Sequence, residues 1–281
     1  MKRLISLIAL TISYFTHAQP STEVYLFDLK KSGDSYTLSN PRNISANDGY
    51  DNQPSFWPDG KSILYARTVG GQTEIARYFL ETLKTEIITR TGQGSEYSPT
   101  PMPDGRISSI RLDTTGLQLL YAYDMDGNAE VLVPELKIGY HAWVNKKEIV
   151  SFVLGQPPTM QVINTKNNKA RVEAEQIGRS LHKVPNEDLF SYVDKSKPQW
   201  AINTMDAKGN TNMLTNTLPE SEDYCWTPAG EIIMGTDGKL FSCATGSEWK
   251  QFADLADFEL EGISRLTVSP NGDMLVVVVN K

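Results

Sequence analysis

The sequence predicts an all-β chain, a six-bladed β-propeller of four-stranded antiparallel blades. Three observations predict it. A short apolar strand runs into a tight turn six times, with the third turn residue at Gly60, Gly105, Lys146, Glu187, Gly230 and Gly272, at intervals of 41 to 45 residues. Each interval holds four strand-like stretches, a unit that cannot bury its faces alone and must stack around an axis. The chain also begins with an unmatched second hairpin and ends with an unmatched first one, so joining its ends completes a sixth blade.

The elements follow in order. Lys2 and Arg3, an apolar run from Leu4 to Ile12 and then Thr16-His17-Ala18 read as a secretory leader. The expected organisation is a signal peptide over 1–18 and a propeller over 19–281. The apolar run is far short of the roughly 20 residues of a membrane span, and no cysteine lies near the cut to carry a lipid. A soluble periplasmic or secreted protein with no membrane insertion is expected. Glu23 to Leu29 and Ser35 to Ile44 then form the unmatched hairpin. Pro58-Asp59-Gly60 and Pro103-Asp104-Gly105 close the first hairpins of blades one and two, since proline presets φ, aspartate bonds its own backbone and glycine accepts a left-handed conformation. Pro228-Ala229-Gly230 and Pro270-Asn271-Gly272 keep the pattern; Asn145-Lys146 and Pro185-Asn186-Glu187 are degraded copies, which leaves the registers of blades three and four open by a residue or two. Second hairpins follow at Thr73 to Thr89, Gln118 to Val133, Met160 to Val172, Trp200 to Leu214 and Lys239 to Phe252. Ser264 to Val268 and Met274 to Val279 end the chain, and four consecutive valines (276 to 279) suit a strand buried on both faces.

Charge narrows the partners. Without Lys2 and Arg3 the chain carries 25 basic against 34 acidic residues, a net charge of −9. That argues against nucleic acid and against anionic lipid, both of which need clustered Lys and Arg. Cys225 and Cys243 are the only cysteines. They fall on the first and third strands of one blade, roughly 9.6 Å apart at twice the ladder spacing, beyond the ~7 Å Cα limit of a disulfide. Two free thiols are expected.

The turns Pro58-Asp59-Gly60 and Pro103-Asp104-Gly105, with segments such as Leu120-Tyr121-Ala122-Tyr123-Asp124-Met125-Asp126-Gly127, resemble the repeat of TolB-like propellers over about residues 22 to 281. The resemblance implies the fold. It does not imply one function, because related repeats occur in the propellers of prolyl-oligopeptidase-type peptidases and in oligogalacturonate lyases. TolB itself has an extra N-terminal α/β domain for which this sequence has no room, so a scaffold or binding role is expected rather than a direct Tol–Pal one.

Candidate site residues come from the connections into each first strand: Tyr50, Asp51, Glu96, Tyr97, Tyr140, His141, Arg179, His182, Asp223, Tyr224 and Arg265. Tyrosines recur there beside charges, a combination suited to a peptide or a sugar; packing between blade edges is the plain alternative. Aligning the turns also brings Ser55, Thr100, His141, His182, Cys225 and Thr267 to one repeat position. Both histidines of the mature chain thus fall on neighbouring blades. His141, His182 and Cys225, with Asp223 nearby, include the ligand types of a transition-metal site. Oligogalacturonate lyases hold a catalytic metal through histidines, but no ligand motif of theirs is matched here.

Other chemistry is poorly supported. No Gly-x-Ser-x-Gly elbow occurs, and Asp124-x-Asp126-Gly127 lacks the late Glu of a calcium loop, so it reads as a hairpin turn. The expected function is therefore a non-catalytic module without cofactor, monomeric on its own, binding an envelope protein, peptide or glycan. The alternative is a metal-dependent hydrolase or lyase using His141, His182 and Cys225 at the channel mouth.

Overall fold

The structure, a computed structural model, describes residues 20–281. The expected leader lies outside them. The chain opens with β1 (Thr22–Ser32) and β2 (Ser35–Asn43), and five antiparallel meanders follow. They are β3 (Asn52–Phe56), β4 (Ser62–Val69), β5 (Gln72–Phe79) and β6 (Lys84–Ile87); β7 (Ser95–Pro101), β8 (Ile107–Leu112), β9 (Gln118–Tyr123) and β10 (Ala129–Val133); β11 (Ile138–Trp143), β12 (Glu148–Val153), β13 (Thr159–Asn164) and β14 (Ala170–Glu175); β15 (Ile177–Lys183), β16 (Leu189–Asp194), β17 (Ala201–Asp206) and β18 (Thr211–Asn216); and β19 (Tyr224–Trp226), β20 (Glu231–Thr236), β21 (Lys239–Ala244) and β22 (Lys250–Asp254). A 3₁₀ turn (Leu255–Phe258) leads to β23 (Arg265–Val268) and β24 (Met274–Asn280). The sixth sheet has the order β2-β1-β24-β23, so both ends of the described chain share one blade.

That closure is built from the valine run. β1 and β24 pair in continuous register from Thr22↔Asn280 to Asp28↔Met274, with Leu26 opposite Val276. Side chains alternate across a strand, and here both sides are core. Leu275, Val277 and Val279 pack with Phe27, Ile233 and Leu240 toward the fifth blade, while Val276 and Val278 pack with Val24, Ile63 and Tyr65 toward the first. Each fully buried valine contributes about 1.5–3 kcal/mol, so this strand is a principal lock on the ring.

The turns show their chemistry directly. Gly60, Gly105, Gly230 and Gly272 have φ of 70°, 89°, 83° and 77°, and Asp59 Oδ1 accepts from Lys61 N at 2.8 Å. The hairpin turn after β9 is held by Asp124, whose Oδ1 accepts from the backbone N–H of Asp126 and Asn128 at 2.9 Å each. Asp206 repeats the device two blades on with Lys208 and Asn210.

The third blade departs from the expected register. Its turn starts at Val144, whose N–H donates to Glu148 O, where the other blades start at Trp57, Met102, Val184, Thr227 and Ser269. The third turn residue is therefore Lys147, not Lys146. Asn145 causes the slip: its side chain, not a proline, organises the corner by accepting from Lys147 N and Glu148 N. Two residues before each turn start then stand Ser55, Thr100, Ala142, His182, Cys225 and Thr267, and His141 is one residue out of line with His182. Cys225 and Cys243 lie on β19 and β21 as buried free thiols.

Candidate functional site

Each blade begins with a short inner strand, and four of these are bulged as they enter the ring. The register shifts between Asn52 and Ser55, Tyr97 and Thr100, Ile138 and Tyr140, and Ile177 and Leu181. Gln53 and Ser98 take left-handed φ of 56° and 51° at the first two. Bulges re-aim side chains at the rims of closed sheets. The inner strands of all six blades line one central cavity of about 120 Å³, open at the mouth, with Ser55, Thr100, His141 and His182 along its wall and Tyr140, Arg179, Asp223 and Arg265 toward its rim.

One side chain per blade gathers at this mouth: Tyr50, Tyr97, Tyr140, Arg179, Asp223 and Arg265, all half-buried. The tyrosines form one side. Tyr50 and Tyr97 meet edge to face at 6.2 Å between ring centroids, and Tyr140 packs against Phe152 at 5.9 Å. The charges form the other. Arg179 grips Asp223 with both ends of its fork, Nε to Oδ1 at 3.3 Å and Nη2 to Oδ2 at 2.6 Å. Arg265 Nη1 donates to the same Oδ2 at 2.9 Å. The halves join across the channel, where Arg265 Nη2 donates to the Tyr140 hydroxyl at 3.3 Å and its guanidinium lies 5.5 Å from that ring's centroid, a cation–π distance. Burial works against the Arg179 charge, but hydrogen bonding and attraction from Asp223 prevail and raise its pKa. Burial also pushes the Tyr50 phenol up to about 12, so it meets a ligand as a neutral hydroxyl.

Other expected site residues serve the frame instead. Asp51 is fully buried and accepts from Thr68 N at 2.9 Å and Asn47 Nδ2 at 3.1 Å. Glu96 is fully buried, with Oε1 accepting from the Thr91 hydroxyl at 2.6 Å and the Tyr123 hydroxyl at 3.0 Å. Tyr224 is 1% exposed and donates to Ser191 Oγ at 2.7 Å. In each case the residue follows the pleat into the seam between blades, while its neighbour in sequence (Tyr50, Tyr97 or Asp223) reaches the mouth.

The histidines and the thiol are also parted. His141 points back to the second blade, where its Nε2 meets Ser108 Oγ at 2.7 Å. His182 points forward and rests on Tyr224 of the fifth blade at 4.6 Å between centroids, with Nε2 against Ser180 Oγ at 3.0 Å. Cys225 sits in the apolar cluster with Leu266 and Val268. Among the described residues no three His, Cys, Asp or Glu side chains are grouped to hold a metal ion. The expected ligand set does not fit a metal, because successive residues on a strand face opposite blades. Burial lowers the pKa of both imidazoles to about 4, so both rings are neutral near pH 7.

Two structural triads were missed in the sequence. Trp143 Nε1 donates to Ser108 Oγ at 2.9 Å beside His141, and Trp226 Nε1 donates to Ser191 Oγ at 2.8 Å beside Tyr224. His141 and Tyr224 are thus the equivalent pair. The signal was present as His141-x-Trp143 and Tyr224-x-Trp226, obscured by the slipped third turn. Glu222 was missed as well: its carboxylate takes the Arg179 N–H at 2.9 Å and Lys195 Nζ at 2.9 Å, supporting the arginine from behind.

No protein-family model matches the chain, and no curated protein sequence is significantly similar to it. Its fold is similar to that of a putative TolB from Agrobacterium tumefaciens, with a TM-score of 0.74 at 14% identity over 94% of this chain and 99% of that one. It is also similar to TolB from Acinetobacter baumannii, with a TM-score of 0.57 at 15% identity over 92% of this chain and 64% of that one. An oligogalacturonate lyase in complex with manganese gives 0.62 at 13% identity over 94% and 98%. The chain has the six-bladed fold of TolB-like propellers. At these identities the likeness carries the fold alone, which hosts both binding proteins and enzymes.

Proposed function

We propose that this chain is an exported, non-catalytic binding module of the cell envelope, and that it engages a protein, peptide or glycan through the channel mouth. The observation that carries this reading is the convergence of one half-buried polar or aromatic side chain from every blade, tied across the channel by Arg265 on Tyr140. Six different blades supply the contacts, so the surface is preorganised by the ring itself. The ring is closed, and no second copy is needed to complete the site. Rigid tyrosines supply area and hydroxyls, and the Arg–Asp–Arg cluster supplies directional donors.

A pull-down from native envelope extract tests it, comparing the wild type with the combined Tyr97→Ala, Tyr140→Ala and Arg179→Ala variant. Loss of the captured partner in the variant is expected. Retention of every wild-type partner by a folded variant would overturn the assignment of function to this face.

A further inference from the structure

The mouth carries surplus positive charge on an acidic molecule. Arg179 and Arg265 both pair with Asp223, and Glu222 is divided between Lys195 at 2.9 Å and Arg179 Nε at 3.6 Å, so three cations face two carboxylates. The chain as a whole has a formal net charge of −7. Asp223 fixes both guanidiniums in place and takes the Nε–Nη2 edge of Arg179, and the N–H groups left over on the two fixed guanidiniums are charge-assisted donors for a second carboxylate.

The cavity behind them is small. At about 120 Å³ it falls below the ~300–1,000 Å³ of sites that enclose a whole small molecule. It has room for a chain end or a side chain. Its wall adds a second polar demand: His141 is 7% exposed, and its Nδ1 has no hydrogen-bond partner. Ser108 Oγ donates to Thr100 O at 3.2 Å and accepts from Trp143 at 2.9 Å. With the Ser108 proton on Thr100 O, His141 Nε2 is the donor in the contact with Ser108, which leaves Nδ1 as an unpartnered acceptor in the cavity wall, a demand that an N–H would meet. A free inorganic anion brings none; a peptide brings one at nearly every residue.

Resting on the binding role of the mouth, we propose that its ligand is a peptide bearing a carboxylate, either its C-terminus or an acidic side chain. The carboxylate sits on Arg179 and Arg265, and a peptide N–H serves His141 Nδ1.

Fluorescence anisotropy with one labelled pentapeptide ending in Gly-Asp tests this in four forms, with Asp or Asn last and with the C-terminus free or amidated. The forms with a carboxylate bind with measurable Kd, and the amidated Asn form binds at least about tenfold more weakly, the effect of a lost charge-assisted hydrogen bond. The two single-carboxylate forms show which source is used. Affinity falls as salt rises, Arg265→Gln reproduces the loss, and Arg265→Lys restores part of it. If Arg265→Gln does not fold, the four forms on the wild type decide alone. Equal binding of all four forms overturns the carboxylate assignment and leaves the mouth as a binding surface; no binding of any form at about 1 mM overturns the peptide assignment, while the pull-down continues to judge the mouth separately.

Discussion

Glu96→Gln should stabilise this protein, and more so at higher pH. The carboxylate is fully buried in the seam between the first and second blades, on β7. Its Oε1 takes the Thr91 and Tyr123 hydroxyls, while Oε2 has no partner. Burial, with the nearby Glu74 carboxylate adding to it, raises the pKa from 4.5 to about 6; the two hydroxyls and the Arg111 charge pull the other way without prevailing. A folded-state pKa above the unfolded one means that the native state favours the proton. The ionised group therefore weighs against folding increasingly as pH rises through the window from 4.5 to 6. With about 1.4 kcal/mol per pKa unit, the penalty is about 2 kcal/mol at pH 8 and about 0.8 kcal/mol at pH 5. Glutamine keeps the carbonyl that accepts both hydroxyls and removes the charge, and any cost of its unpaired amide is the same at every pH. Denaturant unfolding at pH 5 and pH 8 reads the result. The gain of the variant over wild type should grow by about 1.2 kcal/mol between the two. A difference that is flat, or that grows toward acid, would refute the reasoning.

Other expectations follow from the same geometry. Ser191→Ala strands both the buried Tyr224 hydroxyl and the half-buried Trp226 indole N–H, and should cost about 2–6 kcal/mol in denaturant unfolding, at about 1–3 kcal/mol for each orphaned group. The His141 imidazole is held down to about 4 from 6.5 by burial, so its contribution is complete above pH 6.5 and is lost as pH falls toward 4. His141→Gln should flatten the acid limb of a stability–pH curve by up to about 3 kcal/mol. Val277→Asp puts an unpaired charge where β24 is fully buried between two blades, and it should abolish the cooperative thermal transition seen by circular dichroism; a Tm within a few degrees of wild type would contradict the closure argument.

The sequence by itself determined the architecture. Period, turn chemistry and the unmatched hairpins at either end are local patterns, and each survives translation into structure because a strand's hydrophobic face and a turn's φ requirement are properties of a few consecutive residues. Gly60, Gly105, Gly230 and Gly272 mark real corners, and Val276 lies opposite Leu26 as a closed ring demands. The candidate region was legible to the same depth, as six connections rich in tyrosine and charge. Which residue of each connection faces the channel was decided only by the tertiary structure. Asp51, Glu96 and Tyr224 turn into the seams, while Tyr50, Tyr97 and Asp223, one position away in the chain, reach the mouth. The physical reason is the two-residue pleat: a slip of one position, such as Asn145 produces in the third turn, or a single bulge, sends a side chain to the opposite blade. It parted His141 from His182 and, from residues 44 and 42 apart in the chain, placed Asp223 between Arg179 and Arg265.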